Sequence, residues 1–137
     1  MDKDTLMEMD SAQQSWYAKA MISTIMADGR IDEAEEAYLT TVFNLFKDAP
    51  QALAQLKHIT FAGEPLELEE VNFFSPELAR IILQDCMSIA IADAEFHPKE
   101  RQAIKRIGKC LHLADHEIET AIQRGYEQLA HIFTFAS

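Results

Sequence analysis

A nine-residue pattern that occurs twice constrains this chain more than any other feature. Ala27-Asp28-Gly29-Arg30-Ile31-Asp32-Glu33-Ala34-Glu35 is echoed by Ala92-Asp93-Ala94-Glu95-Phe96-His97-Pro98-Lys99-Glu100. The Ala, the Asp and the final Glu fall in register, and an apolar residue, Ile31 or Phe96, takes the same place in both copies. Each copy joins the end of an apolar helical stretch to the start of an amphipathic one. Self-similarity of this kind marks one supersecondary unit used twice. The expected fold is an all-α compact bundle of about six to seven helices, made from two pseudo-symmetric helical hairpins. Residues 1–137 read as one domain, with half-repeats over about 12–47 and 76–112.

Periodicity and punctuation place the helices. Trp16, Ala20, Ile22 and Met26 give a stripe over 15–27, closed at Gly29. Asp32 and Glu35 have the spacing of a capping box, and Ala34, Tyr38, Thr41, Val42 and Leu45 supply the buried face of the helix that follows. Pro50 suits the first turn of a third helix running to about His58 or Phe61, which Gly63 and Pro65 end. Leu66, Leu68, Val71, Phe73 and Phe74 predict a loop and a short helix tucked beneath the bundle. Ser75-Pro76-Glu77 opens a helix to about Asp93, and His97-Pro98 opens another, with Glu100, Ile104, Ile107 and Leu111 on one face. Asp115, at an N-cap or in the first turn, begins the last helix, whose buried side carries Ile118, Ile122, Tyr126, Leu129 and Phe133. Trp16, Phe43 and the methionines Met7, Met9, Met21, Met26 and Met87 read as packing.

Charge narrows the function classes. Asp and Glu number 23 against 12 Lys and Arg, a net −11 that repels nucleic acid and anionic membrane at long range and suits a basic partner better. The longest uncharged stretch, Ala37 to Phe46, falls far short of the ~20 residues that span a bilayer. The opening MDKDTLMEMD is acidic where an export signal is basic and then apolar, so a cytoplasmic setting is expected, with Cys86 and Cys110 as free thiols.

The repeat is also where a family resemblance lies. MADGRIDEAE in the first half and IADAEFHPKERQAIKRIGKCLHL in the second resemble the TerB-like proteins associated with tellurite resistance, over most of the chain. The resemblance implies an all-helical fold, a bacterial cytoplasmic setting, a part in tellurite and other stress resistance, and metal binding by acidic residues in these loops. Related modules fused to co-chaperone domains imply an interaction role. Two residues depart from the pattern. Ala94 replaces the glycine of the second loop, and His112 stands where Leu-Gly-Leu would have its glycine. Histidine reaches the left-handed region more readily than most side chains.

The candidate metal site is Asp28, Asp32 and Glu35 with the echo Asp93, Glu95, His97 and Glu100. Carboxylates from a helix end and the next helix start can converge on a hard cation such as calcium, magnesium or manganese, zinc being less suited. The spacing differs from that of the twelve-residue calcium loop. Capping alone explains Asp32, Glu35 and Glu100. Asp28 and Asp93 instead lie at helix ends where the dipole disfavours a carboxylate by ~0.3–1 kcal/mol. Backbone amides, a basic side chain or a cation would compensate. Asp85, eight residues before Asp93, shares its helix face, and Cys110, His112 and His116 form a weaker soft-metal pattern.

Neither a phosphate-cradling glycine loop nor a nucleophile elbow is present, so no enzyme is expected and no catalytic residue or organic cofactor is assigned. The expected partner is a protein, with no nucleic acid and no membrane insertion, the oligomeric state being open. In the alternative reading the acidic turns are purely structural, and the acidic face or the apolar stretch Leu66 to Phe74 docks a protein.

Overall fold

The computed structural model describes residues 1–27, 36–37, 39–40, 43–44, 46–48, 50–62, 68–91, 96 and 98–136. All regular structure among them is helical: α1 (Lys3–Glu8), α2 (Ser11–Ile25), α3 (Pro50–Ala62), α4 (Pro76–Ala90), α5 (Pro98–Cys110) and α6 (Asp115–Ala136). Residues 36–37, 39–40 and 43–44 are helical as well. This is the all-α bundle that the repeat predicts. The remainder of the predicted helix after Asp32, with Gly29, Gly63, Pro65 and Leu66, lies outside the described residues.

The starts of the helices follow from their caps. The Ser75 hydroxyl accepts from Leu78 N–H at 3.1 Å and Pro76 takes the first helical position, as expected. Pro50 and Pro98 likewise begin α3 and α5. Two starts depart from the sequence reading. α2 begins at Ser11, four residues before the apolar stripe, because Asp10 and Gln13 close a reciprocal capping box. α1 arises where no helix is expected: the Asp2 carboxylate accepts from Thr5 N–H at 2.7 Å and Leu6 anchors the turn in the core.

α4 is the centre of the packing. It lies against α2, α5 and α6, and α2 also meets α3 and α5. Ala79, Ile82, Leu83, Cys86, Met87, Ile89 and Ala90 are all buried along it. Removing each large one of these from water is worth roughly 1.5–3 kcal/mol. Trp16, Met9, Met21 and Met87 are core residues as expected, whereas Met7 is 44% exposed.

Residues 68–74 correct the expected short helix. This part of the segment is a strap without regular secondary structure. Its carbonyls and amides are taken by the helices it crosses: Trp16 Nε1 donates to Glu69 O at 2.9 Å, Gln13 Nε2 to Phe73 O at 2.7 Å, and Val71 N–H to Cys110 O at 3.0 Å. With its polar backbone satisfied this way, the segment has no need of helical hydrogen bonds. Leu68, Val71 and Phe74 pack, partly buried, on the core beneath it, while Phe73 is 37% exposed.

α6 supplies another correction. Ile118, Ile122 and Leu129 are buried, but Tyr126 is 40% exposed and meets Phe96 edge to face, at a centroid distance of 5.4 Å. The buried stripe runs through Gly125 instead, one step round the helix, where Met87 fills the space that a Cβ would need. Phe133 lies outside the residues whose side chains are described.

α5 ends in a Schellman motif. Leu113 N–H donates to Gly108 O at 3.0 Å and His112 N–H to Lys109 O at 3.0 Å, with His112 at φ 60. His112 thus does hold the left-handed position that a glycine would take, and its Nε2 lies 3.2 Å from the Glu70 carboxylate. At Gly108 an added Cβ would lie 2.6 Å from Ile118 Cγ1, so this glycine is required for the approach of α6. In urea unfolding, His112→Gly is expected to stay within about 0.5 kcal/mol of the wild type, whereas His112→Val loses about 1 kcal/mol or more. Gly108→Ala is expected to lose about 1 kcal/mol, the overpacking outweighing the gain in helix propensity.

Candidate functional site

Six of the seven predicted metal-site residues, Asp28, Asp32, Glu35, Asp93, Glu95 and His97, lie outside the described residues. Around them the structure fixes the frame: α2 ends with Met26 as its C-cap, α4 ends with Ile91, and α5 starts at Pro98. α4 is therefore shorter than the sequence reading to Asp93. Glu100, the seventh, is 5% exposed and partnered, in the first turn of α5 where the helix dipole favours a carboxylate. Among the described residues, no three of His, Cys, Asp and Glu come together in a group that could hold a metal ion.

Cys110, His112 and His116 do not come together as a metal site. Cys110 Sγ donates to Leu68 O at 3.6 Å, His112 lies on Glu70, and His116 borders a groove between α4 and α6. Both cysteines are free thiols. Burial pushes the Cys86 thiol up to about 12. Burial and, after it, the Glu70 carboxylate also raise the Cys110 thiol, though that side chain is only half-buried.

Asp85 is the residue that the sequence placed least well. Its half-buried carboxylate is held by two groups distant in sequence. The Met1 ammonium lies 3.0 Å from Oδ2 and donates to Oδ1 at 3.1 Å, while the Tyr17 hydroxyl donates to Oδ2 at 2.7 Å. Burial, then the Asp85 charge, hold the Tyr17 phenol far above its ordinary range. The network ties α2 to α4 and folds the chain's first residue onto both. Sequence alone could not have found it, because its members are 68 and 84 residues apart.

Two charged surfaces complete the described molecule. Arg80, Ile81, Leu83, Leu113, His116 and Arg124 are among the residues lining an ≈ 350 Å³ groove between α4 and α6. There Arg80 Nε binds Glu117 Oε2 at 2.9 Å. Glu117 also accepts from Ala114 N–H at 3.2 Å, and these bonds, the backbone one first, hold its carboxyl below the ordinary range. The second surface is the outer face of α5, where Gln102, Lys105, Arg106 and Lys109 border a shallow hollow with Glu70 and Cys110. The sequence did carry a signal for it in the density of Lys and Arg between 99 and 109.

Residues 68–123 match the family model described as Tellurite resistance protein TerB. Over these residues the chain is TerB-like. The TerB match takes in the visible strap, α4, the second acidic turn, α5 and the first turns of α6. No curated protein and no solved structure matches the chain. No described helix is long and apolar enough to cross a membrane.

Two measurements check this part of the molecule. Asp85→Asn leaves the ammonium without its charge partner and is expected to cost about 1–2 kcal/mol in urea unfolding, with Nα-acetylation making the two proteins more nearly equal. With a thiol reagent at pH 8, Cys110 is expected to react in the folded protein. Cys86, whose thiol is held protonated by burial and is shielded, is expected to react only on unfolding.

Proposed function

We propose that this chain is a non-catalytic TerB-like module of tellurite and wider stress resistance, cytoplasmic, acting through protein contacts and through a divalent cation at its acidic turns. The observation that carries this reading is the TerB match over residues 68–123, in which α4 and α5 flank the second acidic turn. The cation would be calcium, magnesium or manganese, held by oxygens of Asp28, Asp32, Glu35, Asp93, Glu95 and Glu100, with His97 beside them. The charge of −11 supports a protein partner over nucleic acid.

The reading without catalysis is supported by three described groups whose protonation is disturbed. Tyr17 and Cys86 are shifted chiefly by burial in the core, and Glu117 by a helix-start amide and Arg80. Packing and capping account for all three, and none of the shifts requires a substrate.

Glu100 favours a second reading. It is buried in the first turn of α5, the place of a carboxylate that caps a helix, and the same role at Asp32 and Glu35 would make the turns purely structural. Calorimetric titration of chelator-treated protein with calcium, manganese and zinc separates the two. Saturable heat that disappears in Asp28→Asn/Asp93→Asn, with helical content unchanged, is the expected result. No heat in the wild type would leave the turns as caps and the molecule as an interaction module alone.

A further inference from the structure

α5 inverts the charge of the molecule that carries it. The chain has 23 acidic and 12 basic residues, yet Lys99, Arg101, Lys105, Arg106 and Lys109 all fall within this one thirteen-residue helix. Its single carboxylate, Glu100, is buried, so every charged side chain that α5 shows to solvent is basic. These residues are not equivalent. Arg101 and Lys105 reach across to Glu119 of α6, each at 3.6 Å, and tie the two helices together. Arg106 and Lys109 are exposed, and among the described residues neither has a carboxylate at ion-pair distance. Glu70, the acidic residue nearest the hollow, is engaged by His112.

Gln102, Lys105, Arg106 and Lys109 follow the three- and four-residue spacing of one helix face and border a hollow of ≈ 450 Å³. We propose that this face docks an acidic segment of a partner protein, whose carboxylates pair with Arg106 and Lys109 while its short apolar side chains lie on the aliphatic stems that line the hollow. The inference rests on the protein-contact reading above and names the chemistry of the partner. Charge complementarity selects the occupant. A polyanion that extends beyond this patch, such as a nucleic acid or an anionic bilayer, meets the net −11 of the rest of the surface, whereas a short acidic segment meets only α5.

The test uses the whole chain and a short fluorescein-labelled peptide of Glu, Ala and Leu, read by anisotropy, against the same peptide with Gln for Glu. Arg106→Glu/Lys109→Glu changes two exposed side chains and is checked for unchanged helical content. The expected result is saturable binding of the acidic peptide that weakens with added salt, about tenfold or more loss in the double variant, and no binding of the Gln peptide. Retained binding in the variant, or an absence of binding at low salt, overturns the proposal. So does tighter binding of single-stranded DNA or of phosphatidylserine vesicles through the same two residues. The cation titration is run on the same double variant: heat retained there while the peptide is lost supports a separate dock. Heat in the wild type without peptide binding sinks this inference and leaves the broader reading intact.

Discussion

Burial of α4 is the constraint on which the rest of the structure depends. Three helices close on it, and buried apolar residues run along it from Ala79 to Ala90. A helix covered on several sides needs small residues where neighbours come close, and Ala79 and Ala90 provide them. The same demand reaches the neighbours: Gly125 of α6 is set back to receive Met87, and Tyr126 is thereby turned outward. Interiors packed at close to crystal density leave no slack for a different choice.

Polar groups are admitted to this core only with partners. Asp85 lies on a half-buried face of α4 and is matched by an ammonium and a phenol, which between them occupy both of its oxygens. Gln14, Thr24 and Glu100 are buried polar residues, and the first two give their side chains to backbone carbonyls. Among the described residues no buried side-chain nitrogen or oxygen lacks a partner. The strap over residues 68–74 obeys the same rule by borrowing its hydrogen bonds from Gln13, Trp16 and α5. An irregular segment can cross a helical bundle when side chains take over the duties of a helix ladder.

Charge is then distributed by what the core leaves outside. Acidic residues cap helix starts at Asp2 and Asp10, and Glu117 bonds back to the Ala114 amide, places where the dipole rewards them. Basic residues are gathered on α5, where two of them hold α6 through Glu119 and two are left facing solvent. The result is an acidic molecule with a basic face on α5. That asymmetry, and not overall charge, gives the described surface a direction.

Helix starts were legible in the sequence because capping chemistry is local: Ser75-Pro76, Pro50 and Pro98 need only the residues beside them. The same locality let His112 be read as a left-handed residue. The TerB-like character was legible too, since it lies in contiguous residues of one half. Of the proposed acidic site, the sequence gives the residues and their spacing, and only Glu100 can be placed, in a buried first turn. What tertiary structure alone decided is whatever depends on residues far apart: the partners of Asp85, the strap in place of a helix at 68–74, the outward turn of Tyr126 and the pairing of Arg101 and Lys105 with Glu119. Periodicity says that a helix has a buried face, but which residue sits at its centre is settled by the shape of the helix packed against it.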